Sequence, residues 1–451
     1  MRRARSDAPC RTVHEKPTEL RRVLSFDESR LSPYSARVTR RVLTLLLCWL
    51  TSGFGFAQSS YRDFDQPPHN YWKKPLEDRF TKLKGDLESG RLPLDQGGEK
   101  AFLISLLRAL DVPASSQLLV FSTTSLQLRL ISPSNPRAIY FSEDLYVGFI
   151  PGGRIEIVSL DPEIGGIFYI FDIPRDGRPP RAERSDRCMN CHAGADTQYV
   201  PGLVIQSVIP GPRGGTLDAF RREQTGHGVP LEMRFGGWHV TGKHGLTNHW
   251  GNLVGRLSPE GLATNRIEAG TRFDFARYPV STSDILAHLL LEHQTGFVNR
   301  VFEASYRARS YLHEGNGQIS SEHVAELDRQ AGIITRYLLF ADEAPLPPDG
   351  VEGDAAFRTD FLRTRRVTAN GLSLKDLDLR TRLFRHRCSY MIYSPVFHGL
   401  PKPMKERVYA RLAEALRLEM PSKEFGYLAP EEKQAIRTIL KETLTDVPEG
   451  W

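Results

Sequence analysis

The run Cys188-Met189-Asn190-Cys191-His192 sets two thiols three positions apart, with a histidine directly after the second. That spacing suits thioether bonds to the two vinyl groups of a c-type haem. The histidine then lies under the porphyrin, with one imidazole nitrogen in reach of the iron. Zinc is a competing reading, but a closed structural zinc site needs four ligands. The chain has no second C-x-x-C and no C-x-x-H. A redox dithiol belongs between a strand and a helix, whereas residues 174–187 (PRDGRPPRAERSDR) form a polar, proline-rich loop into the motif.

Nine residues after His192 comes the turn Pro201-Gly202-Leu203. In many c-type cytochromes a similar Gly/Pro turn supplies a backbone carbonyl to the second imidazole nitrogen and fixes the ring; the competing reading is an ordinary turn entering a strand. A sixth iron ligand is sought in residues 231–255, which gather Met233, His239, His244 and His249 among glycines and aromatics. His244 is the first choice, with His249 and Met233 as alternatives, and an open sixth position is the remaining possibility. His288, Glu292 and His293 fit neither zinc-protease spacing and are read as a helix surface. Cys388 and His386, two apart, do not face each other on a helix. Nucleotide and phosphate fingerprints are absent from the sequence, as is G-x-S-x-G.

These residues need a scaffold. Residues 58–116 read as helical, on the spacing of Phe102, Leu103, Leu106, Leu107 and Leu110 before Pro113. Short β-rich runs follow at Gln117–Thr123, Leu126–Ser132, Arg137–Phe141, Leu145–Ile150, Arg154–Leu160 and Gly166–Ile173, then at Leu203–Ile209 and Leu231–Val240. Residues 117–265 are therefore expected to be a β-rich domain carrying the haem-attachment loop. Helical segments are expected at 266–342 and, after a Pro-rich connector, at 354–451, with helices at Leu374–Phe384, Pro403–Met420 and Pro430–Leu444. The fold class is α+β: an antiparallel β-rich core with flanking and C-terminal helices, not a small all-helical cytochrome c fold.

Location bears on the haem reading, because covalent attachment in bacteria takes place outside the cytoplasm. Arg40-Arg41, the apolar run Val42–Leu50 and the small residues ending at Ala57 form a signal-peptide pattern. The uncharged stretch from Val42 to Ala57 is 16 residues, short of the roughly 20 of a spanning helix. The expectation is an exported, periplasmic protein with residues 1–57 removed, attached to a membrane only if that segment is retained. Residues 1–41 carry a net +6, equal to the +6 of the whole chain, so the remainder is neutral and gives no warrant for nucleic-acid binding. Cys10 and Cys48 fall in the leader, leaving Cys188, Cys191 and Cys388. Three cysteines do not make a disulfide framework. They suit two thioethers and one solitary thiol, Cys388, read as buried and inert.

Several stretches together resemble a family of exported bacterial proteins described as cytochrome c domain-containing. They are Thr124–Gln127 (TSLQ), Ile131–Phe141 (ISPSNPRAIYF), Tyr146–Ile150 (YVGFI), Arg187–His192 (RCMNCH), Val200–Gly202 (VPG), Gly236–Gly245 (GGWHVTGKHG) and Tyr393–Pro401 (YSPVFHGLP). The resemblance implies export and a single covalent haem c, and no established reaction. The expected function is electron transfer to an unidentified redox partner. Alternatives are a haem-based ligand-binding or sensor module, or a haem-relay oxidoreductase; no enzyme class is assigned, and di-haem peroxidases need two such motifs where this chain has one.

Overall fold

Helix, sheet and helix follow one another along the chain in the computed structural model, which describes residues 60–220, 226–419 and 422–448. The leader of residues 1–57 and its expected cleavage point lie outside the described residues. The segments read separately along the sequence pack into a single unit, Ser59–Trp451.

The first helix, α1 (Arg79–Glu88), is capped by Asp78, whose carboxylate accepts from Thr81 N at 3.0 Å. Helix α2 (Glu99–Ala109) buries the expected stripe of Phe102, Leu103, Leu106 and Leu107. Strands β1 (Leu118–Val120), β2 (Arg137–Phe141), β3 (Leu145–Phe149), β4 (Ile155–Asp161), β5 (Gly165–Phe171) and β6 (Glu183–Arg184) run as an antiparallel meander. After the short helix α3 (Met189–His192) and the hairpin β7 (Ser207–Pro210) and β8 (Thr216–Phe220), strand β9 (Trp238–His239) closes the far edge. The sheet order is β6-β5-β4-β3-β2-β1-β9. The architecture is thus α+β with an antiparallel sheet, as expected.

Strand alternation gives this sheet two unlike faces. Tyr140, Val147, Ile157 and Tyr169 lie opposite one another and pack with Phe80 and Phe102 of the first two helices. The other face carries the rows Phe141, Tyr146, Val158, Phe168 and Ile139, Gly148, Glu156, Ile170. Ile139 and Val158 are only half-buried.

The remaining elements are the hairpin β10 (Leu253–Ser258) and β11 (Gly261–Arg266) and the helices α4 (Ile285–Glu314), α5 (Ser321–Leu338), α6 (Ala355–Leu362), α7 (Pro395–His398), α8 (Lys402–Ala415) and α9 (Pro430–Thr443). Helix α4 is the axis of the larger core. Of its 30 residues 23 are buried, so it has no solvent face on which polar residues could be sorted. Among the described residues, no helix is long and apolar enough to cross a membrane.

Two expected elements are absent. Leu126–Ser132 alternates like a strand, yet it forms a turn of 3-10 helix at Leu128–Leu130. Ser125 Oγ accepts from Gln127 N at 2.9 Å and turns the chain away from the sheet. Leu374–Phe384 is not a helix either. Asp378 Oδ1 accepts from the backbone N–H of Arg380 and Thr381, at 2.9 and 3.0 Å, and Leu379 takes a left-handed φ of 61°. The helix α6 was not anticipated.

Candidate functional site

Cys188, Cys191 and His192 sit on one short helical turn. Cys188 precedes the first residue of α3 and His192 is its last. Cys188 is partly buried against the core beneath α1 and α2, and Cys191 is exposed. The Cys188 thiol is pushed above its usual range, chiefly by burial.

His192 is held twice by one residue. Its Nδ1 lies 2.9 Å from Gly202 O, and its own carbonyl accepts from Gly202 N at 2.8 Å. A carbonyl only accepts, so Nδ1 carries the proton and the Nε2 lone pair is left for a metal. Among the described residues nothing hydrogen-bonds Nε2. Burial lowers the His192 pKa to about 4, which keeps the ring neutral, as a ligand must be. The ring lies 4.4 Å from that of Phe168 on β5. The hydrogen bond expected from the 201–203 turn is therefore present, through Gly202 O.

That turn is fixed from two sides. Asn299 of α4 accepts from Leu203 N through Oδ1 and donates to Leu203 O through Nδ2, both at 2.8 Å. Gly166 N donates to Pro201 O at 3.0 Å. Gly165, at φ +94°, tolerates no side chain, because a Cβ would stand 2.3 Å from Pro201 O. Neither anchor was legible in the sequence, since neither Asn299 nor Gly165 belongs to a motif.

The residues present fit a covalent haem. One thiol is exposed and the other partly buried, the neutral imidazole keeps a free nitrogen, and the sheet face of Phe168 and Val158 lies beside it. Among the described residues, no group of three or more His, Cys, Asp or Glu side chains is placed to hold a metal ion. A protein-only zinc cage therefore gains no support from the described residues.

The distal candidates form a different cluster. His244 and His249 meet edge to face with ring centroids 5.4 Å apart. His249 packs on Phe235, which lies 5.5 Å from His288 near the start of α4. His288 and Asn299 are eleven residues apart on that helix, about 16 Å at 1.5 Å per residue. Met233 ends a half-buried 3-10 turn. Among the described residues, no contact brings His244, His249 or Met233 to His192. His239 is buried between Phe121 and Phe273.

His288, Glu292 and His293, read as a helix surface, are buried instead, because α4 runs through the core. His293 Nδ1 lies 2.9 Å from His227 Nδ1, and its Nε2 lies 2.7 Å from Ser389 Oγ. Glu292 faces Arg234 at 3.2 Å, and burial raises its pKa to about 7 against the opposing pull of that guanidinium. Both residues line a cavity of ≈ 60 Å³ whose wall includes Asp196 and Leu203 from the segment after His192. Cys388 is fully buried, and burial drives its thiol far upward.

No protein-family profile, curated protein or solved structure matches this chain.

Proposed function

We propose that this protein is an exported mono-haem c-type cytochrome that transfers electrons through a haem bound covalently at Cys188 and Cys191, with His192 as proximal ligand. The observation that carries the reading is the His192–Gly202 pairing, which fixes the tautomer and the ring and leaves Nε2 free. When bound, such a group supplies an iron that changes oxidation state without a change in protein connectivity. Gly202 orients the imidazole, Asn299 holds Gly202 in place, and Phe168 shields one side of the ring from water.

A second reading, a haem that binds a small ligand at an open iron, is favoured by one placement: His244 and His249 cluster beside the start of α4 rather than beside His192.

The test is expression of the full chain with a c-type maturation system, followed by denaturation and acid-butanone extraction. The reading requires haem that stays with the polypeptide, and that is lost when Cys188 and Cys191 are both replaced by Ala. Haem that extracts into the organic phase from the unaltered protein rejects it. Carbon monoxide then separates the two readings: an unchanged ferrous spectrum indicates a six-coordinate carrier, and a shifted one an open site.

A further inference from the structure

The half-covered sheet face beside His192 carries Arg137, whose side chain is 15% exposed. Arg137 and Ile139 alternate onto the same face of β2, where Ile139 stands opposite Gly148 of β3 and Gly148 opposite Glu156 of β4. Phe168, which touches the His192 ring, belongs to this face through its pairing with Val158. Arg137 lies across β3 to reach Glu156, with Nη2 2.5 Å from Oε2. Only glycine leaves room for it, since a Cβ on Gly148 would stand 2.7 Å from Nη2 and 3.0 Å from Nε.

Arg137 Nε is buried and, among the described residues, has no hydrogen-bond partner. A buried donor left unpaired is unfavourable, and a guanidinium is built to grip a carboxylate. The charges of Arg137 and Glu156 both reach His192 and Cys188, so the pair lies near the ends of the attachment turn. Glu156 Oε1 also accepts from Ser125 Oγ at 2.9 Å and Gln127 Nε2 at 3.0 Å. This ties in the turn whose Leu126, Leu128 and Leu130 are 40%, 53% and 37% exposed. Three exposed leucines within five residues thus belong to the turn that Glu156 ties down beside Arg137.

We infer that Arg137, laid across Gly148 and steadied by Glu156, is the residue that binds a haem propionate, with Ile139 and Val158 beneath the porphyrin and Leu126, Leu128 and Leu130 at its edge. This rests on the haem reading of Cys188, Cys191 and His192. Oriented by Glu156, the guanidinium offers Nε to the propionate, and its positive charge stabilises the reduced, less positive iron site.

The experiment uses the full chain matured with haem, comparing unaltered protein with Arg137→Gln. Arg137→Gln is expected to keep acid-butanone-resistant haem, to lower the midpoint potential, and to move the pH-dependent step of that potential upward as the propionate loses its cation. Arg137→Lys, which keeps the charge for Glu156 but lacks Nε, is expected to recover most of the potential while shifting the propionate bending band in the resonance Raman spectrum. That variant carries the test should Arg137→Gln not fold. Potential, pH step and propionate band all unmoved, with haem still covalently attached, overturns the inference. Haem that extracts from the unaltered protein overturns the underlying reading instead.

Discussion

Asn299 pairs with Leu203 as a neighbouring strand would, its side-chain amide donating to Leu203 O and accepting from Leu203 N, both at 2.8 Å. One side chain on the central helix thereby fixes the backbone that steers His192. Asn299→Ala leaves both buried groups of Leu203 unpaired and is expected to cost about 2–4 kcal/mol. Urea unfolding measures the loss. In haem-loaded protein the same change should broaden the Soret band as the proximal ring loses its fixed orientation. A stability within about 0.5 kcal/mol of the unaltered protein would show that the clamp does not hold the turn.

Gly165 presses on the other side of the same turn. Gly165→Ala adds a methyl 2.3 Å from Pro201 O at φ +94° and is expected to destabilise by about 1–3 kcal/mol. Gly152, also at positive φ but with open space around its Cβ position, is the control. Gly152→Ala carries the backbone strain without the collision, so thermal unfolding should place it above Gly165→Ala.

The buried carboxyl of Glu292 has its own pH signature. Burial raises its folded pKa to about 7 from an ordinary 4.5. Between these values the folded state binds more protons than the unfolded one, so this group's contribution is present below pH 4.5 and is lost as pH rises through 7. Glu292→Gln removes the titration. The stability of the unaltered protein relative to Glu292→Gln is expected to fall by on the order of 2 kcal/mol between pH 5 and 8. Parallel curves from chemical denaturation at each pH would refute a raised Glu292 pKa.

The buried histidines act in the opposite direction. Burial lowers His288 and His293 to about 3 from 6.5, so each binds fewer protons folded than unfolded below pH 6.5. Their contribution is full above pH 6.5 and drains as pH falls towards 3. Acid unfolding followed by tryptophan fluorescence should therefore begin below pH 6.5 and shift to lower pH in His293→Gln. An unchanged midpoint in that variant would contradict the assignment.

His244→Ala and His249→Ala test the sixth position. Their clustering by the start of α4 leads to the expectation that neither changes the spin state of the haem-loaded protein. A high-spin shift in one of them would restore that residue as the distal ligand and displace the open-iron reading.

Much of the meander was legible because Ile155 and Ile157 alternate with Glu156 as a strand between a packed and a half-open face must. The same rule misread Leu126–Ser132, where alternation is real but Ser125 and Gln127 side chains take the hydrogen bonds a strand would need. The hairpin β10 and β11 escaped notice because most of its residues face water and show little apolar pattern. His288, Glu292 and His293 were misplaced because a helix surrounded by protein on all sides keeps polar groups inside, paired with one another. The turn carrying Cys188, Cys191 and His192 is local, and its spacing is visible in five residues. Asn299 and Arg137 could not be read that way, since their roles depend on register and on packing across about a hundred positions and twenty positions of chain respectively.

The Leu203–Asn299 clamp spans 96 positions, and this orders events in time. The two cysteines emerge from synthesis well before the helix that locks the turn after His192. At about 5–20 residues per second the lag is several seconds, during which the motif sits on slack chain. The long-range contact then arrives last, so the ring of His192 takes its fixed orientation only once α4 has been made.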